Sequence, residues 1–175
     1  YMLIFKQPSM EYASQIEQYK QEFQSSKDTI DGSSFLEQMP SIGQWLNLLE
    51  LFRSKATVPE NYALSETWLV IRQTDDCLVG MSNLRFELSN AYLKSFGGHI
   101  GYSVRPNERK KGYGKIILNE TLKQAKTRGI DKVLVTCNDI NYASAKIIEA
   151  NQGILAEKVI DSSDQMLIRR YWITI

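Results

Sequence analysis

The sequence has few of the side chains that build metal centres and disulfide frameworks. Its 175 residues include two cysteines, Cys77 and Cys137, and one histidine, His99. A Cys/His zinc site and a disulfide scaffold both need more ligands or thiols than these. We therefore expect no bound metal, and we expect two reduced, partly buried thiols in a cytoplasmic protein.

Long apolar runs and an excess of one charge are also lacking. No stretch reaches the roughly 18 apolar residues of a membrane-spanning helix. The beginning, YMLIFKQPSM, has no basic region or cleavage site of a signal peptide, and Tyr1 before Met2 is interpreted as an added residue. Lys and Arg number 21, Asp and Glu number 20. This balance argues against a nucleic-acid partner, and we expect no membrane partner either.

Apolar periodicity predicts alternating strands and helices in one domain over residues 1–175. Strand-like runs lie at 2–6, 67–73, 77–88, 97–104, 132–137, 154–160 and 165–175, and helical spacing marks 12–23 (N-cap Ser9), 45–52 (N-cap Ser41), 112–127 and 141–152. The strand, helix and strand of residues 98–137 form a β-α-β unit, which makes parallel neighbours. The predicted fold class is α/β (α+β mixed), with a mixed, mostly antiparallel sheet, a central parallel β-α-β unit and helices on both faces.

The stretch RPNERKKGYGK, from Arg105 to Lys115, gathers five positive side chains and one negative one around two glycines before a helix. A helix N-terminus offers unpaired N–H groups and partial positive charge, and glycine lets a bulky anion approach the backbone. Basic side chains there oppose the helix dipole by about 0.3–1 kcal/mol each, which a bound anion would offset. We predict a diphosphate site, and a merely solvated loop is the alternative.

Two common nucleotide-binding loops do not fit this stretch. A P-loop needs a hydroxyl residue after its lysine, but Ile116 follows Lys115. A dinucleotide-binding fingerprint needs a third glycine where Ile117 stands. What remains is a strand, a basic turn, Gly-x-Gly and a helix.

That arrangement resembles the acyl-CoA-binding signature of the GNAT superfamily of N-acetyltransferases. The family pattern, Arg/Gln-x-x-Gly-x-Gly/Ala after a strand that ends in Val-x-Pro, is matched by Val104 to Pro106 and Arg109 to Gly114. A second family element is matched by Asn141 and by Ser144 three residues later. The resemblance covers roughly residues 66–160, and the ending IRRYWITI is similar to that of uncharacterised bacterial members.

The resemblance implies acetyl-CoA as cosubstrate, lying where the central strands splay apart. The N–H groups of residues 110–115 would hold its diphosphate, the main chain of Tyr102 and Val104 would pair with its pantetheine arm, and Asn141 would contact that arm. The predicted cofactor-binding residues are Tyr102, Val104, Arg109, Lys110, Lys111, Gly112, Tyr113, Gly114, Lys115, Asn141 and Ser144. Residues 1–65 would form the N-terminal strand and the acceptor-side helices, and residues 66–175 the sheet and the acetyl-CoA-binding core.

The predicted activity is transfer of an acetyl group from acetyl-CoA to a primary amine by direct attack. His99, with an ordinary pKa near 6.5, is the first candidate for the base, and Glu87 is the second. Many relatives carry a tyrosine as acid where this chain has Ile148. A non-catalytic acyl-CoA-binding or regulatory domain is therefore the alternative.

The acceptor side would be residues 9–60 and 88–97 by resemblance to the family. These segments hold acidic and aromatic side chains that would suit a cationic amine: Asp28, Asp31, Phe35, Glu37 and Trp45. We expect the amine to belong to a small molecule or a peptide. Association into a homodimer is left open.

Overall fold

The computed structural model describes residues 2–175, and Tyr1 lies outside the described residues. The strands are β1 Leu3–Lys6, β2 Ser65–Arg72, β3 Cys77–Arg85, β4 Ile100–Val104, β5 Lys132–Asn138, β6 Ile154–Ile160 and β7 Leu167–Thr174. The helices are α1 Ala13–Ser25, α2 Ile42–Phe52, α3 Tyr113–Thr127 and α4 Tyr142–Ala150. The strands and helices that the periodicity predicts are thus confirmed, although β3 ends at Arg85 and not at Leu88.

The two predicted N-caps have different outcomes. The Oγ of Ser41 accepts a hydrogen bond from Gln44 N at 3.1 Å, so it caps α2 as expected. Ser9 instead precedes a single 3-10 turn, Met10–Tyr12, and its side chain makes no capping hydrogen bond. Sequence spacing located this helix correctly but not the geometry of its first turn.

The strands form two antiparallel sheets, in the orders β1-β2-β3-β4 and β5-β7-β6. The mixed α/β class with mostly antiparallel strands is therefore confirmed. The predicted parallel ladder between β4 and β5 is not found among residues 2–175, because these strands belong to different sheets. They meet at one end, where His99 N donates to Leu134 O at 2.8 Å, and they diverge beyond it.

Helices cover both faces of the first sheet, as predicted, because successive side chains of β2 point in opposite directions. Leu69 and Ile71 join the buried cluster formed with α1 and α2. Trp68 and Val70 join the buried clusters formed with α3 on the other face. The second sheet and α4 complete that side of the molecule and place the N-termini of α3 and α4 close to the end of β4.

Gly114, the second residue of α3, lies where α3 packs against α4. A Cβ atom at this position would lie 2.6 Å from Ile147 Cδ1. The atom that must shift is the end of a flexible, partly exposed side chain, so we expect the contact to offset the helix preference of alanine without a large loss. Thermal unfolding of Gly114→Ala should therefore show a Tm equal to or slightly below that of the wild type.

Gly43 provides the matched control, because it is the second residue of α2 but has open space around it. The nearest atom to a Cβ there is Ser41 Oγ, at 4.0 Å. We expect Gly43→Ala to raise the free energy of unfolding by up to about 1 kcal/mol, through the helix preference of alanine alone, and so to raise the Tm. Equal effects of the two substitutions would contradict close packing at Gly114.

Candidate active site

A cavity of about 720 Å³ lies where β4 and β5 diverge. One wall is formed by β4 and the end of β5, a second by the start of α4, and a third by the loops before α2 and β4. The residues of the first two walls are Ile100, Gly101, Tyr102, Thr136, Cys137, Asn138, Asn141 and Ser144. The cavity thus begins at the junction of the two sheets and reaches the predicted acceptor side.

The edge of β4 that faces this cavity is unpaired. Arg85 N donates to His99 O at 2.7 Å and Arg105 N donates to Val79 O at 2.8 Å, so the carbonyl of His99 and the main chain of every second residue from 101 to 105 face β3. The main-chain polar groups of Tyr102 and Val104 therefore face away from β3, on the open edge. An extended ligand could add to this edge like a further strand.

The basic turn before α3 has main-chain donors without protein acceptors. The N–H groups of Lys110, Lys111 and Gly112 donate to no acceptor among residues 2–175, and those of residues 113–115 lie in the first turn of α3. Lys110 and Gly112 are left-handed, with φ of 64° and 84°. No atom lies within 4 Å of a Cβ built on Gly112. The turn is therefore an open main-chain cradle that fits a diphosphate.

The side chains around this cradle do not all face it. Lys111 Nζ lies 2.7 Å from Glu108 Oε2, and Tyr113 is buried, so that only its main chain faces the turn. Arg105 is 9% exposed and pairs with Glu22 on α1 at 2.7 Å. The guanidinium of Arg105 is therefore paired with α1 and does not face the turn, so its long-range attraction of an anion stays a prediction.

Arg109 links the turn to the acceptor side. Its Nη2 lies 2.9 Å from Asp28 Oδ2, its Nε donates to Val104 O at 3.2 Å, and its guanidinium lies 5.4 Å from the centre of the Phe23 ring. A ligand that pairs with Val104 O would have to displace this contact. Arg109 therefore lies between the two predicted halves of the site.

The start of α4 carries the second family element. Asn141 Oδ1 accepts from Ser144 N at 3.1 Å and caps the helix, while the hydroxyls of Ser144 and Tyr102 are 2.8 Å apart. Burial raises the pKa of Tyr102 and raises that of Cys137 to about 11, so both side chains stay protonated at neutral pH. Ile148, in place of the family's tyrosine, is fully buried in the core.

The end of the cavity on the predicted acceptor side contains a carboxylate with a shifted pKa, Asp31. Asp31 is an exposed residue, and partial desolvation of its carboxylate by the cavity walls raises its pKa from 3.8 to about 6. Arg85 opposes the shift, while Glu37 and Asp28 reinforce it. The sequence places Asp31 on the acceptor side, but only the tertiary structure shows the pKa shift.

The loop that carries Asp31 is held against β4 by two glycines. A Cβ on Gly32 would lie 2.5 Å from Gly101 O, so the two main chains are in direct contact there. Two residues later, Ser34 and Phe35 are left-handed, with φ of 53° and 72°, an unfavourable backbone for such residues. Trp45 is buried beneath the loop and donates from Nε1 to Ser33 O at 2.8 Å, so it supports the site and does not line it.

The remaining walls of the acceptor end are aromatic and acidic. The rings of Phe35, Phe52 and Tyr62 have centres 5.6–6.1 Å apart. The other charged side chains that line the cavity with Asp31 are Asp28, Glu37, Asp161, Asp164 and Arg85. Carboxylates thus outnumber cations in the lining, which favours a positively charged ligand.

The two predicted bases do not lie together in this cavity. Glu87 is exposed beyond the end of β3, and it is not part of the cavity lining. His99 is 8% exposed, and its Nδ1 accepts from Leu134 N at 2.9 Å. That bond places the proton of a neutral ring on Nε2, so the ring has no free lone pair. Their catalytic roles stay predictions, and the geometry favours neither.

The family profile described as the acetyltransferase (GNAT) family matches residues 39–154, more than half of the chain. The chain belongs to the acetyltransferase (GNAT) family. This GNAT protein is therefore an N-acetyltransferase, and acetyl-CoA is its cosubstrate. No group of three metal-ligating side chains among residues 2–175 is arranged to hold a metal ion, and no helix of that part is both long and apolar enough to cross a membrane.

Solved structures of the same fold include several acetyltransferases. The ribosomal L7/L12 alpha-N-protein acetyltransferase RimL, in complex with coenzyme A, has a TM-score of 0.72 at 14% identity, covering 99% of this chain and 94% of that one. A spermidine/spermine N-acetyltransferase, SpeG, from Vibrio cholerae has a TM-score of 0.65 at 15% identity, covering 99% and 95%. The ribosomal-protein-S5-alanine acetyltransferase from Vibrio fischeri has a TM-score of 0.69 at 14% identity, covering 98% and 92%. No curated protein matched the sequence.

Proposed function

We propose that this GNAT protein acetylates a primary amine of a cationic acceptor by direct attack, without an acetylated enzyme. The observation that carries the proposal is that one cavity is lined both by the open edge of β4 and by Asp31. Donor and acceptor can therefore meet without a relay through the protein. The protonated Cys137 thiol gives no reason to invoke a covalent step.

The main chain of the protein supplies the donor site in this proposal. The cradle of residues 110–115 holds the diphosphate, and the open edge at Tyr102 and Val104 pairs with the pantetheine arm. Asn141 keeps its Nδ2 group for the same arm, because only its Oδ1 is used in capping α4. Acetyl-CoA supplies a thioester whose carbonyl carbon accepts the amine.

Asp31 is the proposed base of the acceptor site. A lysine-like amine with a pKa near 10.4 is neutral in only about one molecule in 2500 at pH 7, so it must lose a proton before it attacks. A carboxylate with a pKa of about 6 is ionised at neutral pH and is a stronger base than an ordinary Asp. The nitrogen then bonds to the carbonyl carbon, the carbon–sulfur bond breaks, the thiolate leaves, and the second proton that the nitrogen loses goes to that thiolate or to water.

The carboxylates around Asp31 set the class of acceptor. Polyamines and proteins are the acceptors named for the similar structures SpeG and RimL. We expect 1,8-diaminooctane to have a kcat/KM roughly tenfold above that of octylamine, because its second ammonium gains a charge-assisted hydrogen bond of about 1.5 kcal/mol. The assay follows free thiol released from acetyl-CoA.

The two amines share the same eight-carbon chain and differ by one terminal ammonium group, which also doubles the number of reactive ends, so a twofold ratio is the baseline for an acceptor site without charge preference. An equal kcat/KM for both would contradict a cationic acceptor while leaving acetyl transfer intact. Stabilisation of the protein by CoA without turnover of any amine would contradict the catalytic proposal itself.

We also propose a cytoplasmic location, consistent with two free cysteines. The oligomeric state stays open, and light scattering of the purified protein would decide whether a homodimer forms.

A further inference from the structure

The junction of β4 and β5 is closed by a side chain. His99 N donates to Leu134 O at 2.8 Å, as in an ordinary sheet. The partner bond is different, because Leu134 N donates to the imidazole Nδ1 of His99 at 2.9 Å and not to a carbonyl. The imidazole thus takes the place of a main-chain acceptor between the two sheets.

The nearby main-chain carbonyls are directed at Arg85 and not at Leu134. Arg85 Nη1 donates to Gly97 O at 3.2 Å and to Gly98 O at 3.1 Å, and Arg85 N donates to His99 O at 2.7 Å. None of the three carbonyls accepts from Leu134 N, whose acceptor is the imidazole. Leu134 is fully buried, so its N–H would have no partner without the imidazole, a costly arrangement.

Close approach of the two backbones makes this junction narrow. Gly98 has φ of 67°, and a Cβ there would lie 2.6 Å from Leu134 O. Past the junction the strands separate, and the cavity opens between Gly101 on one side and Thr136 on the other. The hydrogen bonds between His99 and Leu134 therefore set the width of the cavity at its closed end.

We propose that His99 is a positioning residue, whose imidazole joins β4 to β5 and so holds the open edge of β4 in place for the acetyl donor. The inference rests on the proposed function for its consequence in catalysis, but the hydrogen bond can be tested without it. Burial and, to a smaller degree, Arg85 lower the pKa of His99, which keeps the imidazole neutral and its Nδ1 able to accept. Because that lone pair is occupied, it cannot take a proton from the acceptor amine.

Two substitutions of similar shape separate positioning from base catalysis. The Oδ1 of an asparagine and the Nδ1 of a histidine are both bonded to Cγ, so His99→Asn keeps an acceptor near the same place. His99→Leu has a similar branched shape but no acceptor. Neither asparagine nor leucine can act as a base, so only the positioning role predicts different activities for the two variants.

The measurements are hydrogen exchange of the Leu134 amide, CoA affinity by calorimetry, and kcat/KM. We expect His99→Asn to remain within about threefold of the wild type in all three. We expect His99→Leu to lose at least about tenfold in Leu134 protection and in kcat/KM, the loss typical of a buried donor without an acceptor. If His99→Asn loses as much kcat/KM as His99→Leu while Leu134 stays protected, His99 is a base and the inference is overturned.

The wild-type protein gives an independent test, whether or not the variants fold. Nitrogen NMR of the imidazole should show an unprotonated Nδ1 and a protonated Nε2 at neutral pH. A protonated Nδ1 would overturn the inference. A protein that shows the expected tautomer and a protected Leu134 amide, but no turnover, would contradict the proposed function and leave the junction itself supported.

Discussion

Gly112→Asp should weaken CoA binding by about a hundredfold. Gly112 is the N-cap of α3 and lies in the open cradle, with nothing within 4 Å of a Cβ. A carboxylate there would face the diphosphate that the cradle is proposed to hold. Unit charges roughly 5 Å apart repel by about 1–3 kcal/mol at effective dielectric constants of 80 to 20, and the diphosphate carries two. Calorimetric titration with CoA measures the loss.

The matched control for this substitution is Gly112→Asn. Asparagine and aspartate have the same shape, and both tolerate the left-handed backbone that φ of 84° requires. The two variants therefore share any strain and differ only in charge. We expect Gly112→Asn to stay within about tenfold of the wild type. Equal losses for both would show that the cradle acts through its shape and would contradict an anion at this turn.

Asp31→Asn should lower kcat/KM for an amine by about a hundredfold to a thousandfold, the usual contribution of a general base. The wild type should lose activity as the pH falls below about 6, because Asp31 must be ionised and its pKa is raised to about 6. The variant should lack this acidic limb and keep its affinity for CoA. Initial rates between pH 5 and 8 measure both effects.

Stability should change in the opposite direction from activity. The folded pKa of Asp31 lies above its ordinary value of 3.8, so the unfolded chain releases the proton first as the pH rises. The contribution of Asp31 to the free energy of unfolding is fully present below about pH 4 and is lost as the pH rises towards 6. Asp31→Asn should therefore leave the Tm at pH 7 equal to or above that of the wild type. A lower Tm would indicate a structural carboxylate.

Glu37→Gln is the control for the general loss of negative charge. Glu37 lines the same cavity, and its Oε1 accepts from Ile30 N at 2.8 Å, a bond that the glutamine oxygen can keep. We expect a higher KM for cationic amines and little change in kcat. If Glu37→Gln lowered kcat and abolished the acidic limb of the pH profile, as we expect for Asp31→Asn, Asp31 would not be the base.

Local patterns were enough for most of the secondary structure and for the open turn before α3. The stripe of Ile16, Tyr19 and Phe23 predicted α1, and the residues of the Gly-x-Gly turn have an open, left-handed backbone at Gly112. Such features depend on neighbours in the chain, so a linear pattern contains them. The two glycines of that turn nevertheless differ, because Gly112 faces solvent and Gly114 packs against Ile147.

Other features depend on residues far apart in the chain. The parallel ladder predicted for β4 and β5 is absent because the two strands diverge after the main-chain bond from His99 N to Leu134 O, a separation that no local pattern shows. Arg105 belongs to the basic run by sequence, but Glu22 draws it to α1. His99 looked like a base because of its residue type, and only its bond to Leu134 suggests another role.

The sequence by itself determined the family, the helices and strands, and the turn with its main-chain donors, because short-range periodicity and backbone preference govern them. Only the tertiary structure decided that the two sheets separate beyond His99, that the cavity between them reaches the acidic loop, and that Asp31 has a raised pKa. These features depend on desolvation and on contacts between segments that are distant in the sequence, which arise only when the chain folds.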